Sequence, residues 1–213
     1  MERIIQELKE ILRSNLITIA EYGKEGKQHL IVIKKLDSST LKNLKPLIKN
    51  FYKKTKSFPL LLTHEELTDG LDVFPLEFLN IKLNHIVLYG EDIFNNLVFD
   101  KRHIRRQLEF EFRSKLITLR QGYLEVGSKK ELKIILEKAI PTLLPILNGL
   151  LYLKDIDIPE PIGEILDLIS KKYRINIDIL RKIKNKDQDL DTSVKELVIL
   201  LATIGEILDE VRV

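Results

Sequence analysis

The apolar positions of this chain follow two rhythms, one in each half. In the first half, short β-branched runs alternate with helical spacing. Glu2–Ser14 sets Ile4, Ile5, Leu8, Ile11 and Leu12 on one face and predicts an amphipathic helix. LITIA (Leu16–Ala20) and LIVI (Leu30–Ile33) read as strands, and EYGKEGKQH between them as the turn of a hairpin. Asp37, Ser38 and Ser39 offer caps for a helix from Thr40 to about Lys54, with Leu41, Leu44, Leu47, Ile48 and Phe51 inward, although Pro46 argues against its first half. PLLLT (Pro59–Thr63) is a third strand. Thr63 and Glu66 have capping-box spacing for a short helix ending at Gly70. For Asp72–Asp92 periodicity leaves two readings open, a strand followed by a helix or a helix from Pro75.

The second half has helical spacing throughout. Asp100 caps a long helix that runs to about Glu125 and carries two apolar stripes. Ile104, Leu108, Phe112, Leu116, Leu119 and Tyr123 form one; Phe110, Ile117 and Leu124 form the other. A surface helix needs one stripe, so two predict packing on both sides. The helix therefore reads as a spine joining two halves. Its polar line, Arg102, Arg106, Glu109, Arg113 and Arg120, would face the seam between them, while His103, Gln107, Glu111, Ser114 and Thr118 would face solvent. Ser128 and Glu131 open a helix toward Tyr152, kinked at Pro141 and Pro145, with Leu143, Leu144, Leu147, Leu150 and Leu151 central. After a linker at Asp155–Pro161 come short helices at Ile162–Lys172 and Ile177–Lys186. A last helix is capped by Ser193 and Glu196, with Val194, Leu197, Leu201, Ile204, Leu208 and Val211 inward. Short connections make an antiparallel bundle.

Composition narrows this picture only in places. The 213 residues are 44% hydrophobic and 31% charged, which fits a folded chain of one or two domains. The absence of cysteine fits a reducing cytosol, and MERIIQELKE is charged throughout, so the expectation is a cytoplasmic protein without a signal peptide. The apolar run Ala139–Leu153 reads as a buried helix too short to span a bilayer, so no membrane partner is expected. A net charge of +3 does not by itself indicate nucleic acid. The Lys, Glu and Ile richness with one Met and no Trp resembles hyperthermophile composition.

Three stretches resemble nucleotidyltransferase-like proteins. LITIAEYG sits where such domains carry the strand into a Gly-Ser turn. LIVIKKLDSSTLKNLKPL matches the following strand and helix. DVFPLEFLNIK and HIVLYGED, running on into HIRRQLEFEFRSKLITLRQGYL, resemble a segment that recurs in prokaryotic members. The likeness spans roughly Asn15 to Leu124, and the bundle resembles the helical domain often attached to these enzymes. It implies an α+β fold: a small mixed sheet flanked by helices over residues 1–97, then a mainly helical bundle over 98–213, with 100–125 as connecting helix. Active members bind Mg²⁺ through two carboxylates, one residue apart, beside the Gly-Ser turn. Here the turn reads Gly23-Lys24, and Lys27 and His29 stand in the carboxylate positions, residue types that cannot supply hard oxygen ligands. The resemblance thus implies a degenerate member without catalytic residues or a resident metal.

The function that follows is non-catalytic binding of a nucleotide or other phosphate compound, or of a protein, including a second copy paired through the bundle. Candidate phosphate contacts are Arg102, Arg106, Arg113 and Arg120, since guanidinium forks suit phosphate oxygens, with Gly23 and Lys24 in the turn. The plainer reading of the arginines is a ladder, Arg106–Glu109 and Glu109–Arg113. The alternative is an active enzyme with displaced carboxylates, Asp72 and Glu77, which would require Mg²⁺; a third reading is a structural or regulatory subunit. Lys82 and His85 could share a helical face, and Lys24, Lys27, Lys34 and Lys35, like Lys53, Lys54 and Lys56, read first as solvated surface. All four histidines lie at or before His103, so a bundle-type ribonuclease constellation is missing, as are a P-loop and zinc spacing.

Overall fold

The computed structural model describes residues 1–23, 28–185 and 189–211. The chain divides into two units, Met1–Phe99 and Asp100–Val213.

The first unit is a small mixed sheet with helices. Helix α1 (Glu2–Leu12) buries Ile4, Leu8 and Leu12, then tightens into a 3₁₀ turn at Arg13–Asn15 that delivers the chain to β1 (Leu16–Tyr22). Ile11, expected inward, is exposed, while Ile5 is partly buried against the core. Strand β2 (Gln28–Ile33) pairs antiparallel with β1, with Ile19 opposite Ile31 and Glu21 opposite His29, so the expected hairpin is present. Helix α2 (Ser38–Thr55) runs through Pro46 unbroken. The Asp37 side chain accepts the Thr40 N–H at 2.7 Å as its cap, and Leu44, Leu47 and Phe51 are buried, while Leu41 turns outward. Strand β3 (Leu60–Thr63) pairs parallel with β2. The capping box on α3 (His64–Asp69) is formed, with Thr63 and Glu66 each bonding the other's backbone N–H.

The undecided stretch resolves as helix then strand: α4 (Pro75–Leu83) and β4 (His85–Gly90). Asp72 and Val73, read as strand in one alternative, lie in a turn. Pro at the first helical position sets φ for α4 and needs no N–H there, which is why the helix starts at Pro75. Strand β4 closes the sheet antiparallel to β1, giving the order β3-β2-β1-β4. Gly90 ends it at φ +88°, where a Cβ would stand 2.0 Å from the Ile17 carbonyl oxygen, so only glycine fits. Ile4, Leu8, Leu12, Ile19, Ile31, Ile33, Leu44, Leu47 and Phe51 form one core, so α1 and α2 cover one sheet face. Ala20, Leu30 and Val32 are buried on the other.

The second unit is helical. Helix α5 (Lys101–Glu125) is capped by Asp100, whose carboxylate accepts the Arg102 N–H at 2.8 Å. Helices α6 (Lys129–Leu153), α7 (Ile162–Tyr173), α8 (Asp178–Asn185) and α9 (Leu190–Glu210) follow. Helix α9 starts earlier than expected. Asp189 is its cap, accepting the Thr192 N–H at 3.0 Å, and Ser193 already lies in the first turn, donating to the Asp189 carbonyl. Helices α5 and α9 run antiparallel: Arg105 donates to the Leu208 carbonyl at one end, and the Tyr123 hydroxyl donates to Asp191 at 2.6 Å at the other. The leucines expected at the centre of α6 are all buried. The helix Lys129–Leu153 is long and apolar enough to cross a membrane, longer than the run read from sequence, and 59% of its most apolar window is buried within the fold.

Among the described residues the two-sided packing expected of α5 is not found. Ile104, Leu108, Phe112 and Leu119 are buried, but Phe110, Ile117 and Leu124 are 68%, 55% and 82% exposed. Helix α5 packs on α6 and α9, and among the described residues its second stripe stays exposed.

Candidate functional site

Gly23 leaves β1 at φ +91°, a conformation that favours glycine, and its N–H donates to the Asn84 carbonyl at 3.1 Å. Lys24 and Lys27 fall outside the described residues. The side chain of His29 is 2% exposed, edge-on to Phe51 at 4.7 Å, with Nε2 3.3 Å from Glu21 Oε1 across the strand pair. The position that the resemblance assigns to a metal ligand therefore points into the core under α2.

Of the displaced carboxylates, Asp72 is exposed in the turn between α3 and α4, and Glu77 stands on the first turn of α4. Glu77 accepts a hydrogen bond from the Tyr22 hydroxyl, one residue before Gly23. Burial, then the neighbouring carboxylate, pushes that hydroxyl up to about 12. Burial also raises the Glu77 carboxyl against the opposing pull of the Tyr22 bond. Among the described residues no group of three or more His, Asp or Glu side chains is placed to hold a metal ion.

Lys82 and His85 have structural partners. Lys82 Nζ donates to the Leu97 carbonyl at 2.8 Å. His85 opens β4 with Nδ1 3.0 Å from the Lys82 carbonyl and Nε2 3.1 Å from Asp92 Oδ1. Burial pushes the Asp92 carboxyl up, but the Asn95 and Phe94 N–H groups and His85 outweigh it and hold the group below its ordinary value.

The arginines of α5 do not converge. Arg102 folds back on Asp100, with Nε 3.0 Å from Oδ2. Glu109 is bracketed by Arg113 at 3.2 Å, as the ladder reading expects, and by Arg105 at 3.8 Å. Arg113 also forks onto Asp209 of α9, at 2.8 and 3.0 Å. Arg106 is exposed. Arg120 borders two clefts between α5 and α9.

One of those clefts was not legible in the sequence. Leu124, Tyr123 and Arg120 of α5 face Val194, Lys195, Val198 and Ile199 of α9 around an open, almost wholly apolar groove of about 410 Å³. Leu124 is both a wall of this groove and the last residue of the exposed stripe, and Ile199 across from it is also exposed. The missing signal is the pairing of α5 with α9: Ile199 looks like one outlying apolar residue until that pairing sets it beside Leu124.

No protein-family model, curated protein or solved structure matches this chain.

Proposed function

We propose that this chain is a non-catalytic binding module of nucleotidyltransferase-like build whose helical unit docks a second copy of itself. The burial of His29 and the engagement of Glu77 by Tyr22 support the non-catalytic part, since both side chains are committed to structural contacts. The ion pairs of Arg102 and Arg113 favour protein over phosphate as the ligand.

The observation that carries the reading is the stripe Phe110, Ile117, Leu124, exposed on a chain that is 31% charged. Its geometry selects the occupant. Phe110 is a knob and the groove at Leu124 is a hole, and they lie fourteen residues apart on one helix, about 21 Å. Antiparallel pairing of two α5 helices about an axis at Ile117 sets Phe110 of each copy over the groove of the other. A two-fold interface requires such self-complementarity. Parallel pairing would instead set Arg113 and Arg120 against their own copies, whereas the antiparallel arrangement sets Arg113 near Gln121 and Arg120 near Ser114.

The apolar area is modest, so the dimer is expected to be concentration-dependent. Sedimentation velocity over a concentration series tests it. The expected result is a monomer–dimer equilibrium in the wild type that Ile117→Glu abolishes, with unchanged far-ultraviolet circular dichroism because Ile117 is exposed. A wild type that stays monomeric up to about 0.5 mM, well above micromolar affinities, would reject the reading, as would a dimer that survives Ile117→Glu.

A further inference from the structure

We propose that the solvent face of α2, in the first unit, binds single-stranded nucleic acid. Between Ser38 and Thr63 the chain has six lysines and no acidic residue. Helical spacing gathers Lys42, Lys45, Lys49 and Lys53 into an arc of about 80°, opposite the buried row Leu44, Leu47 and Phe51. All four are exposed, and Lys54 and Lys56 flank the end of the ridge. Lys45, Lys49 and Lys53 follow one another at about 6 Å along the axis.

Two structural explanations of this ridge are incomplete. Lysines in the last turn complement the helix dipole, which accounts for Lys53 and Lys54, but Lys42, Lys45 and Lys49 lie outside that turn, where the dipole does not act on them. Lysines that solubilise a thermostable surface are ordinarily laced with acidic partners, and among the described residues none of the six lysines is in an ion pair.

A second feature stands beside the ridge. Tyr52 and Phe58 stack on each other with centroids 4.4 Å apart and planes 14° apart, although they are 41% and 62% exposed. Tyr52 lies at the edge of the lysine arc, and Phe58 follows Lys56 where the chain turns toward β3. An exposed ring beside a track of cations is the arrangement that binds bases by stacking and the backbone by charge, without sequence readout. The same charge could attract an anionic membrane. However, most of the apolar face of α2 is occupied by the sheet, with Leu44, Leu47 and Phe51 buried, and Leu41, Tyr52 and Phe58 alone are too small an apolar surface to seat the helix in a bilayer.

This inference concerns a surface separate from the α5 stripe and stands independently of the dimer. Its test is fluorescence anisotropy of a labelled oligo(dT) of about 20 nucleotides, titrated with the full chain at several salt concentrations. Four lysines on four phosphates give a log–log salt slope near −3, at about 0.7 per phosphate for a single strand. Lys45→Glu/Lys49→Glu is expected to weaken binding at least tenfold and flatten the slope. Phe58→Ala is expected to weaken binding about tenfold with the slope unchanged, because stacking carries no counterion release. All of these side chains are exposed, so circular dichroism should not change. Absence of binding at low salt, binding indifferent to the lysine pair, or binding to phosphatidylserine vesicles but not to the oligonucleotide would each overturn the proposal.

Discussion

The surroundings of Asn148 contradict its chemistry. It lies on α6 and is 1% exposed, and neither its Nδ2 nor its Oδ1 has a hydrogen-bond partner among the described residues. A buried amide left unsatisfied costs about 1–3 kcal/mol, whereas an apolar side chain of the same shape has no such cost. Leucine has the branching of asparagine, so Asn148→Leu is expected to raise stability by about 1 kcal/mol in urea unfolding. A loss of stability would mean that the amide is bonded in the folded protein. Nothing along the chain warns of this, because one Asn among the leucines of a helix reads as a surface position until neighbouring helices close over it. Tyr173 shows the satisfied counterpart: its hydroxyl, just as surrounded, donates to the Leu150 carbonyl at 2.6 Å. His29 teaches a similar lesson. The sequence pattern places it in the hairpin turn, whereas β2 begins at Gln28 and includes it, and the face it would occupy was not legible either. That depended on the register that pairs it with Glu21 and sets it under Phe51.

At the scale of elements, what read correctly from the sequence was local chemistry. The caps of α2, α3, α5 and α6 stand where short polar side chains precede apolar periodicity. Elements failed where two signals competed. In α9 the Ser193–Glu196 spacing imitated a capping box one turn inside the true start at Asp189, and only the Thr192 hydrogen bond decides between them. Between Asp72 and Asp92 a nine-residue helix and a six-residue strand are both too short for periodicity to separate. The caps also set how the fold responds to acid. Hydrogen bonds from Thr40 and Ser39 hold the Asp37 carboxyl at about 2, and those from Arg102 do the same for Asp100, against the ordinary 3.8. A carboxyl depressed in the folded state stabilises fully above its unfolded value, and that contribution disappears as pH falls through the folded one. Stability should therefore decline between about pH 4 and pH 2. Asp37→Asn and Asp100→Asn, each still able to cap, should flatten that decline in denaturant midpoints measured against pH. Unaltered slopes in both variants would show that the caps do not carry the acid response.

At the scale of the molecule, the division into a mixed α+β unit and a helical unit was legible from the switch between strand and helix rhythms. The α5 helix was misread for a physical reason. Two apolar stripes mean two covered faces only if both covers lie within the chain, and here the second stripe meets none among the described residues. Whole-chain charge misled in the same way: a total of +3 averages away a stretch from Ser38 to Thr63 that carries only cations. Both surfaces are visible only after folding sorts residues by face. The claim that joins them to function is that the bare α5 stripe is an interface between copies, and the chain's lack of cysteine allows a direct measurement. In Ile117→Cys the only thiol would sit on the proposed two-fold axis, facing its equivalent within disulfide range. Leu124→Cys would instead face Phe110 of the second copy. Mild oxidation followed by non-reducing electrophoresis should convert most of Ile117→Cys to a covalent dimer and leave Leu124→Cys monomeric. Equal cross-linking of the two variants, or none in Ile117→Cys, would contradict the antiparallel interface.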